Sequence, residues 1–230
     1  GFPYEAAGAR VTDTMLQLAA IGEALDYLGD SEEYSERLVT MGVDVGSVLN
    51  VAISVYDEPE PKLDEDGEEI ELEGAAAEPK RRAIWKGAIG GTDKFDTLEE
   101  LITTYNVDVC VIDSQPETTK AHELRDRFLG EDCMVWLCRF FPTPRVGSTR
   151  YGMKIDDEGM IVQVDRTMLL DVTYDDIAEG RRIFPNDINT VLHWAEQMKA
   201  PARVFDEERE RFLWTKGDAD HYRFADAYDR

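Results

Sequence analysis

Cysteine and histidine are scarce in this 230-residue sequence, with three of each. Cys110, Cys133 and Cys138 lie in apolar surroundings with no paired CxxC elements, which gives no support to a structural zinc site and reads as reduced core thiols. His122, His193 and His221 are too few and too scattered for a histidine-based metal site. Long hydrophobic runs are missing as well. No stretch approaches the roughly 18 apolar residues that a membrane span needs, and the start has neither a basic segment nor an apolar signal core, so a soluble protein with no membrane partner is expected. There is no GxxxxGK[ST] phosphate loop and no internal repeat. Positive charge is short: 25 Lys and Arg stand against 49 Asp and Glu, a net charge of −24. That is the wrong sign for gripping a phosphate backbone by bulk electrostatics.

What is present suffices for one sizeable α/β core, since 43% of residues are hydrophobic and 10% aromatic. The acidic excess is uneven. Asp57 to Glu78 holds eleven acids and one lysine, and with Pro59, Pro61, Gly67, Gly74 and Pro79 it has the composition of an exposed insertion, taken as 57–80. It is either simply solvated or a screen over a nearby site. Before it, Met15, Leu16, Leu18, Ile21, Leu25 and Leu28 recur at helical spacing after caps at Thr12 and Asp13, which predicts a lead-in helix within 1–38. Leu38 to Asp44 and Val48 to Tyr56 read as an antiparallel hairpin, with a third strand at Arg82 to Gly90. Further strands are expected at Val107 to Asp113 and Cys133 to Phe140. Helices are expected at Asp96 to Tyr105, Pro116 to Leu129, Arg166 to Glu179 and Asp187 to Met198. A second hairpin is expected around Asp156-Asp157-Glu158-Gly159. A strand at Arg211 to Thr215 and a helix from Asp220 finish the chain. The start at Gly1 suggests a fragment of a longer polypeptide.

Three acids stand out by context. Asp44, in Gly42-Val43-Asp44-Val45-Gly46, sits on an apolar strand, where an unpartnered charge is costly. Asp113 closes the apolar run Val109-Cys110-Val111-Ile112, at the carboxyl end of a central strand, where α/β sheets bind ligands. Asp220 opens the last helix, with Asp218 two residues earlier and His221 beside it. Each has a plainer reading: a turn cap or an actin-like phosphate loop for Asp44, and helix N-caps for Asp113 and Asp220. As a set they can converge on one edge of a mixed sheet, where mutual repulsion calls for divalent cations, Mg²⁺ or Mn²⁺ by their oxygen donors. Two such ions about 4 Å apart can activate water and stabilise the leaving oxygen of a phosphodiester.

The segments Met41-Gly42-Val43-Asp44-Val45-Gly46, Val111-Ile112-Asp113-Ser114, Trp136-Leu137-Cys138-Arg139-Phe140-Phe141-Pro142 and Asp220-His221-Tyr222-Arg223-Phe224-Ala225-Asp226-Ala227-Tyr228 resemble the nuclease domain of the large terminase subunit of tailed double-stranded DNA viruses. The opening Gly1-Phe2-Pro3-Tyr4 is similar to the connector that leaves the packaging ATPase in such proteins. The resemblance implies a ribonuclease H-like mixed central sheet flanked by helices, with an added β-hairpin, over 39–230, and a helical connector over 1–38. It implies that Asp44, Asp113 and Asp220, with Asp218 as an alternative third ligand and His221 as an auxiliary, carry two metal ions that cut concatemeric double-stranded DNA during genome packaging. The implied partners are double-stranded DNA, an ATPase domain, a small terminase subunit and a portal, in the cytoplasm of a host cell. A junction-resolving nuclease or a transposase would keep the same acids. An actin-like ATPase or sugar kinase would need a duplicated fold and a second glycine-rich loop, which the sequence lacks.

Arg139, Arg145, Arg150 and Lys154, interleaved with Phe140, Phe141 and Tyr151, form the candidate DNA-contacting surface, since guanidinium forks match phosphate oxygens. An ordinary charged edge hairpin is the alternative. Lys80, Arg81, Arg82 and Lys86 read as a second basic patch.

Overall fold

The structure, a computed structural model, describes residues 10–29, 31–59, 62–63, 69–70, 78–141, 152–207, 210–215 and 219–230. Helix α1 (Asp13–Ala19) is capped by Thr12, whose hydroxyl accepts from the Met15 amide at 3.2 Å. The expected lead-in helix therefore ends well short of Leu28. Beyond it the backbone turns to long-range partners: the Gly22 amide donates to the Phe184 carbonyl, Leu25 to the Asp187 carboxylate and Asp26 to the Ile84 carbonyl. Leu16 and Leu25 are buried, whereas Leu18, Ile21 and Leu28 face solvent, so the apolar spacing overstated the helix. A single turn, α2 (Ser31–Tyr34), leads into the sheet.

Strands β1 (Val39–Val45) and β2 (Leu49–Asp57) form the expected hairpin, with Val45 opposite Leu49. Within the acidic insertion two short strands, β3 (Lys62–Leu63) and β4 (Glu69–Ile70), pair with each other, and residues 60–61, 64–68 and 71–77 lie outside the described residues. Strand β5 (Lys80–Ile89) then pairs antiparallel with β2. Helix α3 (Lys94–Thr104), β6 (Val109–Asp113), α4 (Thr118–Arg127) and β7 (Met134–Phe140) follow, with β6 parallel to β1 and β7 parallel to β6. Helix α4 starts after Pro116, with Glu117 at its N-cap position. Strands β8 (Met153–Asp156) and β9 (Ile161–Val164) form the second hairpin, and β9 joins β7 in parallel.

Helix α5 (Arg166–Ala178) is capped by the Asp165 carboxylate and leads to β10 (Arg182–Ile183), which pairs with β5. The helix expected over Asp187 to Met198 is broken into a 3-10 turn (Ile188–Thr190) and α6 (Trp194–Lys199), because His193 between them takes a left-handed φ of 60°. The strand expected near Arg211 is β12 (Arg211–Trp214), paired with β11 (Arg203–Asp206), which the sequence pattern did not signal. Helix α7 (His221–Tyr228) closes the chain.

The result is a mixed eight-stranded sheet in the order β10-β5-β2-β1-β6-β7-β9-β8, flanked by helices, with the β11–β12 hairpin apart from it. This is the mixed central sheet flanked by helices, with an added β-hairpin, that the resemblance implies. Strand β1 is central and all seven of its residues are buried. Val39, Met41, Val43 and Val45 pack with Leu98 and Ile102 of α3 and Leu124 of α4, while α7 lies across the opposite face of β1 and reaches β2. No helix among the described residues is long and apolar enough to cross a membrane.

Candidate functional site

Parallel register sets the site. Val43 of β1 pairs with Ile112 of β6, so the next residue on each strand is an aspartate, Asp44 and Asp113, on the same face at the same end of the sheet. Gly42 determines what can lie on that face. A Cβ there would stand 2.0 Å from the Ala225 carbonyl oxygen and 2.3 Å from the Asp229 amide, so glycine alone lets α7 rest directly on β1. That close seating carries the start of α7 to Asp44.

His221 Nδ1 is 2.7 Å from Asp44 Oδ2. Asp220 occupies the N-cap position without capping; its carboxylate instead accepts from the Arg166 guanidinium at 3.1 Å. Arg166 also donates to the carbonyls of Trp214 and Thr215, which ties the approach to α7 against the start of α5. Asp113 does not cap α4. Its Oδ1 accepts from the Gln115 amide at 2.9 Å, and the Tyr228 hydroxyl reaches its Oδ2 at 3.4 Å.

The three charges feel one another. Burial raises the Asp44 carboxyl; the His221 hydrogen bond and charge oppose that rise, and Asp220 adds to it. Burial pushes Asp113 up to about 6, with the Gln115 amide opposing and the Asp44 charge adding. The hydrogen bond to Asp44 raises His221. The donors here are carboxylate oxygens with one imidazole beside them, a set that suits a hard divalent cation. Among the described residues, no three His, Cys, Asp or Glu side chains are already gathered as a metal cage. Asp44 and Asp220 are turned toward His221 and Arg166 instead.

The remaining candidates separate. Arg139 is half-buried at the end of β7, where its Nε donates to the Ser114 hydroxyl at 3.1 Å and its guanidinium meets His122 at 3.2 Å. Lys154 is exposed on β8 and shares a row with Arg139, because both lie opposite Gln163 of β9. Arg145, Arg150 and Asp218 lie outside the described residues. Phe140 packs edge-on against Phe224, 5.5 Å between centroids, and is part of the core.

The second basic patch is corrected. Lys86 and Arg81 are buried and paired with Asp226, at 2.6 Å for the lysine, and Arg82 is bound to Asp57 at 2.9 Å. Arg182 joins them, with its Nη2 2.5 Å from Asp226, and Asp229 takes hydrogen bonds from Thr40 and Ser54. Arg81, Lys86 and Arg182 thus face inward to anchor α7, Arg82 is held by Asp57 instead, and Lys80 is exposed. Two polar residues beside the acids also escaped the sequence pattern: Lys94 and Glu117, which form an ion pair. Both sit among loop and helix-start residues where charge is ordinary, so spacing carried no signal.

No family model and no curated protein matches the chain in sequence. Among solved structures, the large terminase nuclease from thermophilic phage G20c is similar at 14% identity, over 90% of this chain and 84% of that one, with a TM-score of 0.48. The HK97 bacteriophage large terminase is similar at 10% identity, with a TM-score of 0.52, over 95% of this chain and 42% of that protein. The chain thus shares its fold with part of the HK97 protein and spans less than half of that protein's length.

Proposed function

We propose that this chain is the nuclease domain of a large terminase subunit, a divalent-metal-dependent endonuclease that cuts concatemeric double-stranded viral DNA during packaging. The observation that carries the reading is the placement of Asp44 and Asp113 in register at one end of a sheet whose fold is shared with the HK97 large terminase, with Asp220 near enough to Asp44 to act on its carboxyl. Asp44 and Asp113 would hold Mg²⁺ or Mn²⁺ with Asp220, or with Asp218 in its place. Bound there as a pair, such ions supply an activated water and stabilise the departing 3′ oxygen.

The chain's own groups do the rest. Asp44 and Asp113 sit on rigid strand ends, so their carboxylates need little rearrangement to accept a cation. Burial raises the carboxyls of both, a cost that a bound cation would relieve. Arg166 holds Asp220 in reserve and can pass its guanidinium to a phosphate oxygen when Asp220 turns to an ion. His221, half-exposed and hydrogen-bonded to Asp44 through Nδ1, presents Nε2 to take or return a proton. Arg139 and Lys154, with Arg145 and Arg150, would line the DNA backbone. An ATPase domain, a small subunit and a portal would be the partners, in the cytoplasm of a host cell.

Plasmid cleavage in Mn²⁺ or Mg²⁺ tests this. The parent should nick and linearise DNA, and Asp44→Asn and Asp113→Asn should each lower the rate at least about 100-fold, on the scale of lost metal-site catalysis. Cleavage that survives both substitutions sinks the assignment.

A further inference from the structure

Lys94 is the first residue of α3, where a cation is unfavourably placed, since a helix N-terminus carries positive partial charge. Its side chain is nonetheless 9% exposed, a burial that an ammonium tolerates only when fully partnered. Three acceptors use its three donors. Nζ donates to the Gly46 carbonyl at 2.9 Å, to the Ser47 carbonyl at 3.3 Å and to the Glu117 carboxylate. Gly46 and Ser47 are the second and third residues after Asp44, and Glu117 is the fourth after Asp113. One ammonium therefore clamps the loop that follows the first acid to the loop that follows the second, just beyond the last ladder pair, Val43 and Ile112.

We propose that Lys94 is a positioning residue that fixes the spacing of Asp44 and Asp113 for a shared cation, with Glu117 as its counter-charge. The inference rests on the metal-binding reading of those two acids. A cation held between carboxylates from separate strands depends on their separation to within about 0.5 Å, and an apolar side chain at position 94 would keep α3 packed yet release both loops. Lys94 and Glu117 would not touch the ion themselves.

The test uses the full chain and Mn²⁺ as the probe, with binding followed by electron paramagnetic resonance and folding by far-ultraviolet circular dichroism. Lys94→Met and Glu117→Gln should weaken Mn²⁺ binding about 10- to 100-fold, as loss of groups that orient metal ligands does. Both should lower kcat for plasmid cleavage with KM for DNA unchanged, and Lys94→Arg should recover part of both. A residue that merely supports packing would lower Tm and leave Mn²⁺ affinity alone. Folded Lys94→Met protein that binds Mn²⁺ like the parent overturns the proposal, and if that variant does not fold, Glu117→Gln decides in the same way. The underlying reading fails separately, by a parent that binds no Mn²⁺ or binds it equally well after Asp44→Asn.

Discussion

At the scale of single residues, the acids were legible because each interrupts an apolar run. Asp44 and Asp113 lie one step beyond the paired Val43 and Ile112, which brings both acids to one edge. The contacts that tune them were not legible, since Arg166, Lys94 and Tyr228 come from segments far away in sequence. Asp113 yields a pH-dependent prediction. Its carboxyl is pushed up to about 6 in the fold, from an ordinary value of 3.8, so between those values the folded chain binds more protons than the unfolded one. Stability from this group is therefore lost as pH rises from about 4 to about 6. In EDTA, Asp113→Asn should be more stable than the parent at pH 7, by on the order of 1 kcal/mol or about 2–4 °C in Tm, and the gain should shrink by pH 5. Thermal melts at the two pH values check it, and a gain independent of pH contradicts the assigned cause.

At the scale of elements, the strands β1, β2, β5, β6 and β7 were readable from β-branched composition and turn residues, to within a residue or two. The failures share a cause, which is tertiary hydrogen bonding that overrides local periodicity. Residues after Ala19 give their amides to Phe184, Asp187 and Ile84, and no apolar spacing reveals such partners. Helix α7 shows the same limit more sharply. Its sequence reads as a polar amphipathic helix, yet Asp226 and Asp229 point into the sheet against Arg81, Lys86 and Arg182. The cations around Asp226 hold its carboxyl well below the usual range, although burial acts in the opposite sense. Asp226→Ala should cost about 3–5 kcal/mol, because it strands buried cations; denaturant unfolding that shows under 1 kcal/mol would contradict the anchoring role. Gly42→Ala should cost about 1–3 kcal/mol or more by overpacking. It should also reduce cleavage, because lifting α7 withdraws Asp220 and His221 from Asp44.

For the whole molecule, the charge of −24 is carried by the groups left outside the core. Among the described residues Arg81, Lys86, Lys94, Arg182 and Arg223 are buried, but so are Asp44, Asp176, Asp220, Asp226 and Asp229, so the buried charges balance. If the chain binds DNA as proposed, few contacts near the acids would hold it, and not a broad basic face. Four candidate phosphate contacts, Arg139, Arg145, Arg150 and Lys154, correspond to a slope of about −3 to −4 in a plot of log affinity against log salt. Fluorescence anisotropy with duplex DNA in Ca²⁺ measures it, and a slope near −10 would point to a much larger basic surface.

We propose that Asp44, Asp113 and Asp220 form a divalent-cation centre at the end of β1 and β6. Anomalous diffraction from a crystal soaked in Mn²⁺ addresses it without reference to activity. Anomalous peaks are expected between Asp44 and Asp113, with Asp220 or Asp218 as the third protein ligand and the Arg166 or His221 contact displaced. Peaks elsewhere on the chain, or none at these acids at saturating Mn²⁺, would contradict it.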